Sequence, residues 1–240
     1  MGLELAEVVG HLTDLQRFPV EPLGGEAPTE ALVWGNGLAG DRLYDVCEAQ
    51  KGEPLAASLA PQLLLYSARC LDSPKSTARE ALTRVKNPAG QEFSVSDPEL
   101  TADISRSLGR KVAIKRRKAA GQAAPLHLLS RATLRLAERT YGGPLEPTRL
   151  RANFLVEITE SKAFDEDHWI GKKIRIGDAL LEIAGPSSDC IVTAFRPETP
   201  GGDVDMLSGL VQVHGGHLGV SARAISGSRV RIADSVILMD

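Results

Sequence analysis

The sequence predicts an α+β chain that is mostly β and organised as two units. Three observations lead there. Turn residues are dense: 23 Gly and 14 Pro cut the 240 residues into short segments. Several of those segments alternate apolar and polar residues with a period of two, as a strand with one buried face does. The length suits one large domain or two small ones, and 42% apolar with 25% charged residues supplies a packed core.

The elements follow in order. Ala81–Arg84 and Phe93–Val95 read as a hairpin joined through Asn87-Pro88-Ala89-Gly90. Asp97 can cap a helix that has Pro98 at its first position. Leu100, Ile104 and Leu108 share one face, and Gly109 closes it. Lys118 to Ala124 is poor in apolar bulk and rich in Ala, Gly and Gln, so it reads as a linker or mobile loop. A boundary there divides the chain into residues 1–120 and 121–240. A second helix starts at Ser130, runs through Leu134, Leu136 and Ala137, and stops at Gly142-Gly143-Pro144. Lys173-Ile174-Arg175-Ile176 alternates, Gly177-Asp178 turns, and Ala179 to Ile183 resumes as an apolar strand. The pattern recurs in Arg229-Val230-Arg231-Ile232, Ala233-Asp234 and Ser235 to Met239. Two such hairpins without a third copy predict a small barrel or sandwich rather than a solenoid.

Composition narrows the function classes. A net charge of -3 argues against a nucleic-acid partner. No apolar run approaches the roughly 18 residues of a membrane span. An acid, Glu4, stands where a signal peptide would carry bases. Cys47, Cys70 and Cys190 are too few and too scattered for a disulfide framework or a structural zinc motif. The expectation is a globular cytoplasmic protein.

Five groups could carry chemistry. Cys190 lies where the polar turn Gly185 to Asp189 meets the β-branched run Ile191-Val192-Thr193. It is either an exposed nucleophile or soft-metal ligand, or the first inward residue of a strand, which is the commoner case. Asp189 beside it disfavours the thiolate. Arg149, Arg151 and Asn153 alternate, so a strand would project all three from one face, a set suited to a phosphate or another planar anion, although a solvated strand face is the commoner case. Asp41-Arg42 follows a Gly-rich stretch that lacks the spacing and Lys of a nucleotide loop, and alone it is an ordinary turn. The basic cluster Arg110, Lys111, Lys115, Arg116, Arg117 and Lys118 could dock an acidic partner, although a solvated strand end is the better default. His214-Gly215-Gly216-His217 could share a metal only on a suitable loop. With no third ligand near in sequence, it reads as a flexible loop.

In order along the chain, several motifs resemble a known family. They are Phe18-Pro19-Val20-Glu21-Pro22-Leu23-Gly24-Gly25, then Gly37-Leu38 with Asp41-Arg42, then Pro125 to Ser130. Arg149-Leu150-Arg151-Ala152-Asn153, Trp169-Ile170-Gly171 and Ile176-Gly177 follow, and Cys190 to Thr193 with Pro197-Glu198-Thr199 completes the set. The second half resembles the MOSC domain. The first half resembles the β-barrel domain that precedes it in the mitochondrial amidoxime reducing component and its bacterial relatives. The resemblance implies an N-terminal β-barrel-like domain packed against a C-terminal MOSC β-barrel with a few short helices.

It also implies molybdenum cofactor (molybdopterin), with Cys190 as catalytic metal ligand and Ser188 beside the metal. Arg42, Arg149, Arg151 and Asn153 would hold the pterin and its phosphate. The implied reaction is reduction of N-hydroxylated or related N–O and S–O small-molecule substrates. Electrons would come from a separate ferredoxin- or flavoprotein-type donor, since no iron–sulfur Cys cluster is present. The family also carries an association with pyridoxal phosphate. Two alternatives stand beside this reading: a sulfur or cofactor carrier using Cys190, and a MOSC fold that has lost molybdenum and takes another small molecule. Departures from the family pattern motivate the last. Glu21-Pro22 replaces a Lys-Ser pair, Gln122-Ala123-Ala124 replaces Asp-Thr-Ser, and Asp189 replaces the Arg before the ligand Cys.

Overall fold

The computed structural model describes residues 6–35, 37–71, 82–117, 125–145, 150–187 and 214–239. In the first half the strands are β1 (Ala6–Leu15), β2 (Val20–Glu21), β3 (Glu30–Trp34), β4 (Gly37–Leu38), β5 (Tyr44–Glu48), β6 (Ser67–Leu71), β7 (Leu82–Lys86) and β8 (Glu92–Ser94). Helix α1 (Pro98–Leu108) and strand β9 (Val112–Arg116) follow. The second half holds β10 (Leu126–Ser130), α2 (Arg131–Tyr141), β11 (Phe154–Ile158), β12 (Lys173–Ile176), β13 (Ala179–Pro186), β14 (Val220–Ser226), β15 (Arg229–Arg231) and β16 (Ser235–Met239). The chain is mostly β, as expected.

Seven strands close a barrel in the order β1-β11-β10-β14-β13-β12-β16. Leu12, Leu128, Phe154, Val156, Ile174, Leu181 and Val220 are among the residues that fill it. One stave, β1, comes from the start of the chain and pairs antiparallel with both β11 and β16. Gly10 of β1 permits that approach, because a Cβ there would stand 2.1 Å from the Glu157 carbonyl oxygen. Among the described strands of the barrel, only β10 and β11 pair parallel. A parallel pair needs a crossover connection, and α2 supplies it. Ser130 caps α2 by accepting from the Thr133 N–H at 3.1 Å, and Gly142 ends it in the left-handed conformation. Because α2 covers the outer face, β11 is buried on both sides. Phe154 and Val156 enter the barrel while Leu155 packs with Leu134, Ala137 and Leu150.

The first half builds two further three-stranded sheets, β2-β5-β9 and β6-β7-β8. They share a core of Val20, Leu23, Val46, Leu63, Val85 and Phe93 with Leu100 and Ile104 of α1. Asp97 caps α1 and Gly109 closes it, as the sequence predicts.

Two local expectations are corrected. Arg229–Arg231 and Ser235–Met239 do not form a hairpin. β15 pairs with β3, whereas β16 pairs with β1 and β12. The Ala233-Asp234 turn docks on β1 instead, exchanging backbone bonds of 2.8 and 2.9 Å with Leu12. Alternation identifies a strand but not its partner. The segment carrying Arg151 and Asn153 is likewise no strand face. Arg151 adopts φ 51°, and β11 begins only at Phe154.

Candidate functional site

The end of β1, the turn after β4 and the turn before β11 converge beside β10. Each contributes polar residues that the barrel buries. Arg42, Arg151 and Asn153 are 8%, 2% and 0% exposed, and Arg42 donates to Asn153 Oδ1 and to the Arg151 carbonyl, so two stretches about 110 residues apart share one buried cluster. Both arginines take left-handed backbone conformations, φ 48° and 51°. Such positions cost about 1–3 kcal/mol each and persist where the surroundings over-determine them.

Asn153 explains part of that. Its Oδ1 accepts from the His127 backbone N–H at 3.0 Å and from Arg42 Nη1 at 3.2 Å. Its Nδ2 donates to the Gln16 carbonyl at 3.2 Å and to Asp41 Oδ2 at 3.1 Å. Both amide hydrogens are therefore used. Asp41 also accepts from the Phe18 N–H at 2.6 Å and pairs with Arg42 Nη1. The turn that reads as ordinary in sequence is a buried hinge of the network.

Glu21 bridges the two guanidiniums. Its Oε1 lies 3.1 Å from Arg42 Nε and its Oε2 lies 2.8 Å from Arg151 Nη2. Arg151 Nη1 donates to the Leu23 carbonyl at 3.0 Å, and its buried Nε makes no hydrogen bond among the described residues. The Phe18 ring takes Arg151 at 4.2 Å and Arg42 at 5.8 Å from its centroid. Burial alone would raise the Glu21 carboxyl, but the charges of Arg151 and then Arg42 outweigh it and hold the group below the usual carboxylate range. Burial also pulls the Arg151 guanidinium below its ordinary value, against the opposing pull of Glu21.

The set Glu21, Asp41, Arg42 and Arg151 is thus two anions against two cations. A carboxylate of the chain's own lies between the two guanidiniums and pairs with both. Outside it, Arg117 of the basic cluster grips Asp45 with contacts of 2.6 to 2.9 Å.

Of the sequence-derived site residues, Arg42, Arg151 and Asn153 are brought together, while Arg149, Ser188 and Cys190 lie outside the described residues, as do Gln122 and Asp189. Ser187, three positions before Cys190, donates its N–H to the Gly219 carbonyl at 3.0 Å. Sequence reasoning weighs Asp41 only as part of an ordinary turn and does not single out Phe18. The Asp-Arg pair was a usable signal for Asp41, whereas nothing local marks Phe18. It also expected no third ligand near His214 and His217, yet Asp167 stands beside both.

Among the described residues no helix is long and apolar enough to cross a membrane. The family model of the MOSC domain matches residues 115–237. A solved structure of the YuaD protein from Bacillus subtilis aligns over 99% of this chain and 99% of its own, with 12% identity and a TM-score of 0.53. At that identity the likeness is one of fold. A structure of YiiM from Geobacillus stearothermophilus aligns over 48% of this chain and 54% of its own, with 17% identity and a TM-score of 0.39. No curated protein matches the chain significantly.

Proposed function

The chain belongs to the MOSC domain family, a molybdenum-cofactor-associated family, and from that membership we propose that it is a molybdenum-dependent oxidoreductase. It reduces N-hydroxylated or related N–O and S–O small molecules, with electrons from a separate ferredoxin- or flavoprotein-type donor. The observation that carries this reading is the family match, whose span of 115–237 includes Ser188 and Cys190. Cys190 offers a thiolate, the soft ligand that such a metal takes.

The described residues do not fit the anionic end of the cofactor as they stand. The donors of Asn153 are spent on Gln16 and Asp41, and Glu21 already faces both guanidiniums. A phosphate would have to displace Glu21 at the cost of two ion pairs. That observation favours a second reading, in which the fold is kept and the pocket takes a small molecule without a phosphate.

Molybdenum analysis of protein made in a cofactor-producing host separates the two. About one atom per chain, lost in Cys190→Ser, supports the oxidoreductase. Absence of molybdenum, unchanged when Glu21→Lys, Pro22→Ser and Asp189→Arg restore the family's residues, supports the redirected pocket. A mass increment of one sulfur on Cys190 in the same preparations would indicate a sulfur carrier instead.

A further inference from the structure

The structure assigns a second site, built from residues outside the arginine cluster: Asp167, His214 and His217 form a seat for one divalent late transition-metal ion, of which zinc is the one to test. Asp167 Oδ2 lies 2.6 Å from His214 Nε2 and 3.7 Å from His217 Nε2, and one ligand atom from each residue falls within 4.8 Å of the others. Zinc–nitrogen and zinc–oxygen bonds of about 2.0–2.2 Å place tetrahedral ligands roughly 3.3 Å apart. The three atoms therefore need to move by less than about an ångström to enclose an ion.

Local backbone chemistry creates the pairing of imidazoles. Gly215 and Gly216 both adopt left-handed conformations, φ 63° and 84°, a succession that residues with a Cβ rarely adopt. The reversal brings the two rings to 4.5 Å, edge to face. Phe164 stacks on His214 at 3.7 Å and 14°, which fixes that ring's plane. Asp167 comes from the 3-10 turn Asp165–Trp169, whose Trp169 is buried in the barrel.

Both ligand-bearing segments are anchored to β10. The Leu218 carbonyl meets His127 Nε2 at 2.7 Å, and Glu166 Oε1 accepts from the Ser130 N–H at 3.1 Å. Ligands on turns that are tied to a rigid strand are positioned before the ion arrives. Asp167 Oδ1 is buried and makes no hydrogen bond among the described residues. A bound cation would satisfy that oxygen's carboxylate. Two imidazoles and one carboxylate complete three positions and leave one open for water or an oxygen or nitrogen donor.

The test is titration of the full chain with zinc chloride. It stands apart from the molybdenum reading, because it is repeated on Cys190→Ser protein, where that reading predicts loss of molybdenum but this one predicts zinc retained. One zinc per chain is expected. Asp167→Asn, His214→Gln and His217→Gln should each weaken it by more than the roughly 10- to 100-fold that loss of a supporting partner costs. In the unmodified protein, zinc should shift the imidazole signals of His214 and His217 among the five histidines, which serves even if a variant misfolds. Failure of zinc to bind, binding that leaves those two imidazoles unmoved, or binding lost only with Cys190→Ser would overturn the assignment.

Discussion

Glu21 decides what the arginine cluster can do. Removing its charge leaves Arg42 and Arg151 buried and opposed only in part by Asp41. Breaking a buried pair in this way costs about 3–5 kcal/mol, so Glu21→Gln should lower the denaturant midpoint markedly. The same variant should gain affinity for inorganic phosphate, because the guanidiniums then face an uncharged amide. Phosphate raising the melting temperature of the variant more than that of the wild type is the measurement. The pH dependence follows from the direction of the shift. The folded Glu21 carboxyl lies below its ordinary value of 4.5, since Arg151 and Arg42 overcome the opposing effect of burial. Its contribution is therefore fully present above that value and is lost as pH falls through the lower folded one. The stability difference between wild type and Glu21→Gln should be flat near neutrality and shrink in acid below about pH 4.5.

At the level of elements, Ser130 has two duties. Its backbone ends β10 opposite Val156, and its hydroxyl caps α2 through Thr133. Ser130→Ala should cost about 1 kcal/mol, the usual value of such a cap, seen as a lower thermal midpoint with unchanged secondary structure. The cap is legible in the sequence because Ser stands just before the periodic run and Gly142-Gly143-Pro144 stands after it. The other duty is not legible, because β10 is buried on both faces and its neighbours β11 and β14 are set by the crossover and by closure. The same limit explains the missing hairpin at the C-terminus: an alternating segment, a turn and an apolar segment read as a hairpin, yet the partners of β15 and β16, namely β3, β1 and β12, are distant in the chain.

For the whole molecule, closure depends on the first strand. β1 joins β11 to β16, so without it a barrel of six staves would expose two unpaired edges. Gly10 is the point of closest approach. Gly10→Val would drive a side chain into the Glu157 carbonyl, now 2.1 Å from where a Cβ would lie. Overpacking of this kind costs about 1–3 kcal/mol or more. The variant should show loss of cooperative unfolding by circular dichroism and a shift to larger species in gel filtration. An unchanged transition would mean that β1 adjusts its register around the added bulk.

The mostly β class, both helices with their caps, the hairpin at residues 173–183 and, through ordered motifs, the family are legible in the amino-acid order alone. These rest on short-range chemistry: a period of two or of 3.6, a capping hydroxyl, a glycine that ends a helix. Three members of the arginine cluster could also be named from their motifs. That Glu21 and Asp41 neutralise the two arginines comes from the folded arrangement, because Arg151 lies 130 residues from Glu21 and no local pattern records a charge balance over that distance. The same holds for Asp167, which lies 47 residues before His214. Its place beside the two imidazoles comes from the barrel, where the 3-10 turn and the glycine reversal are both tied to β10.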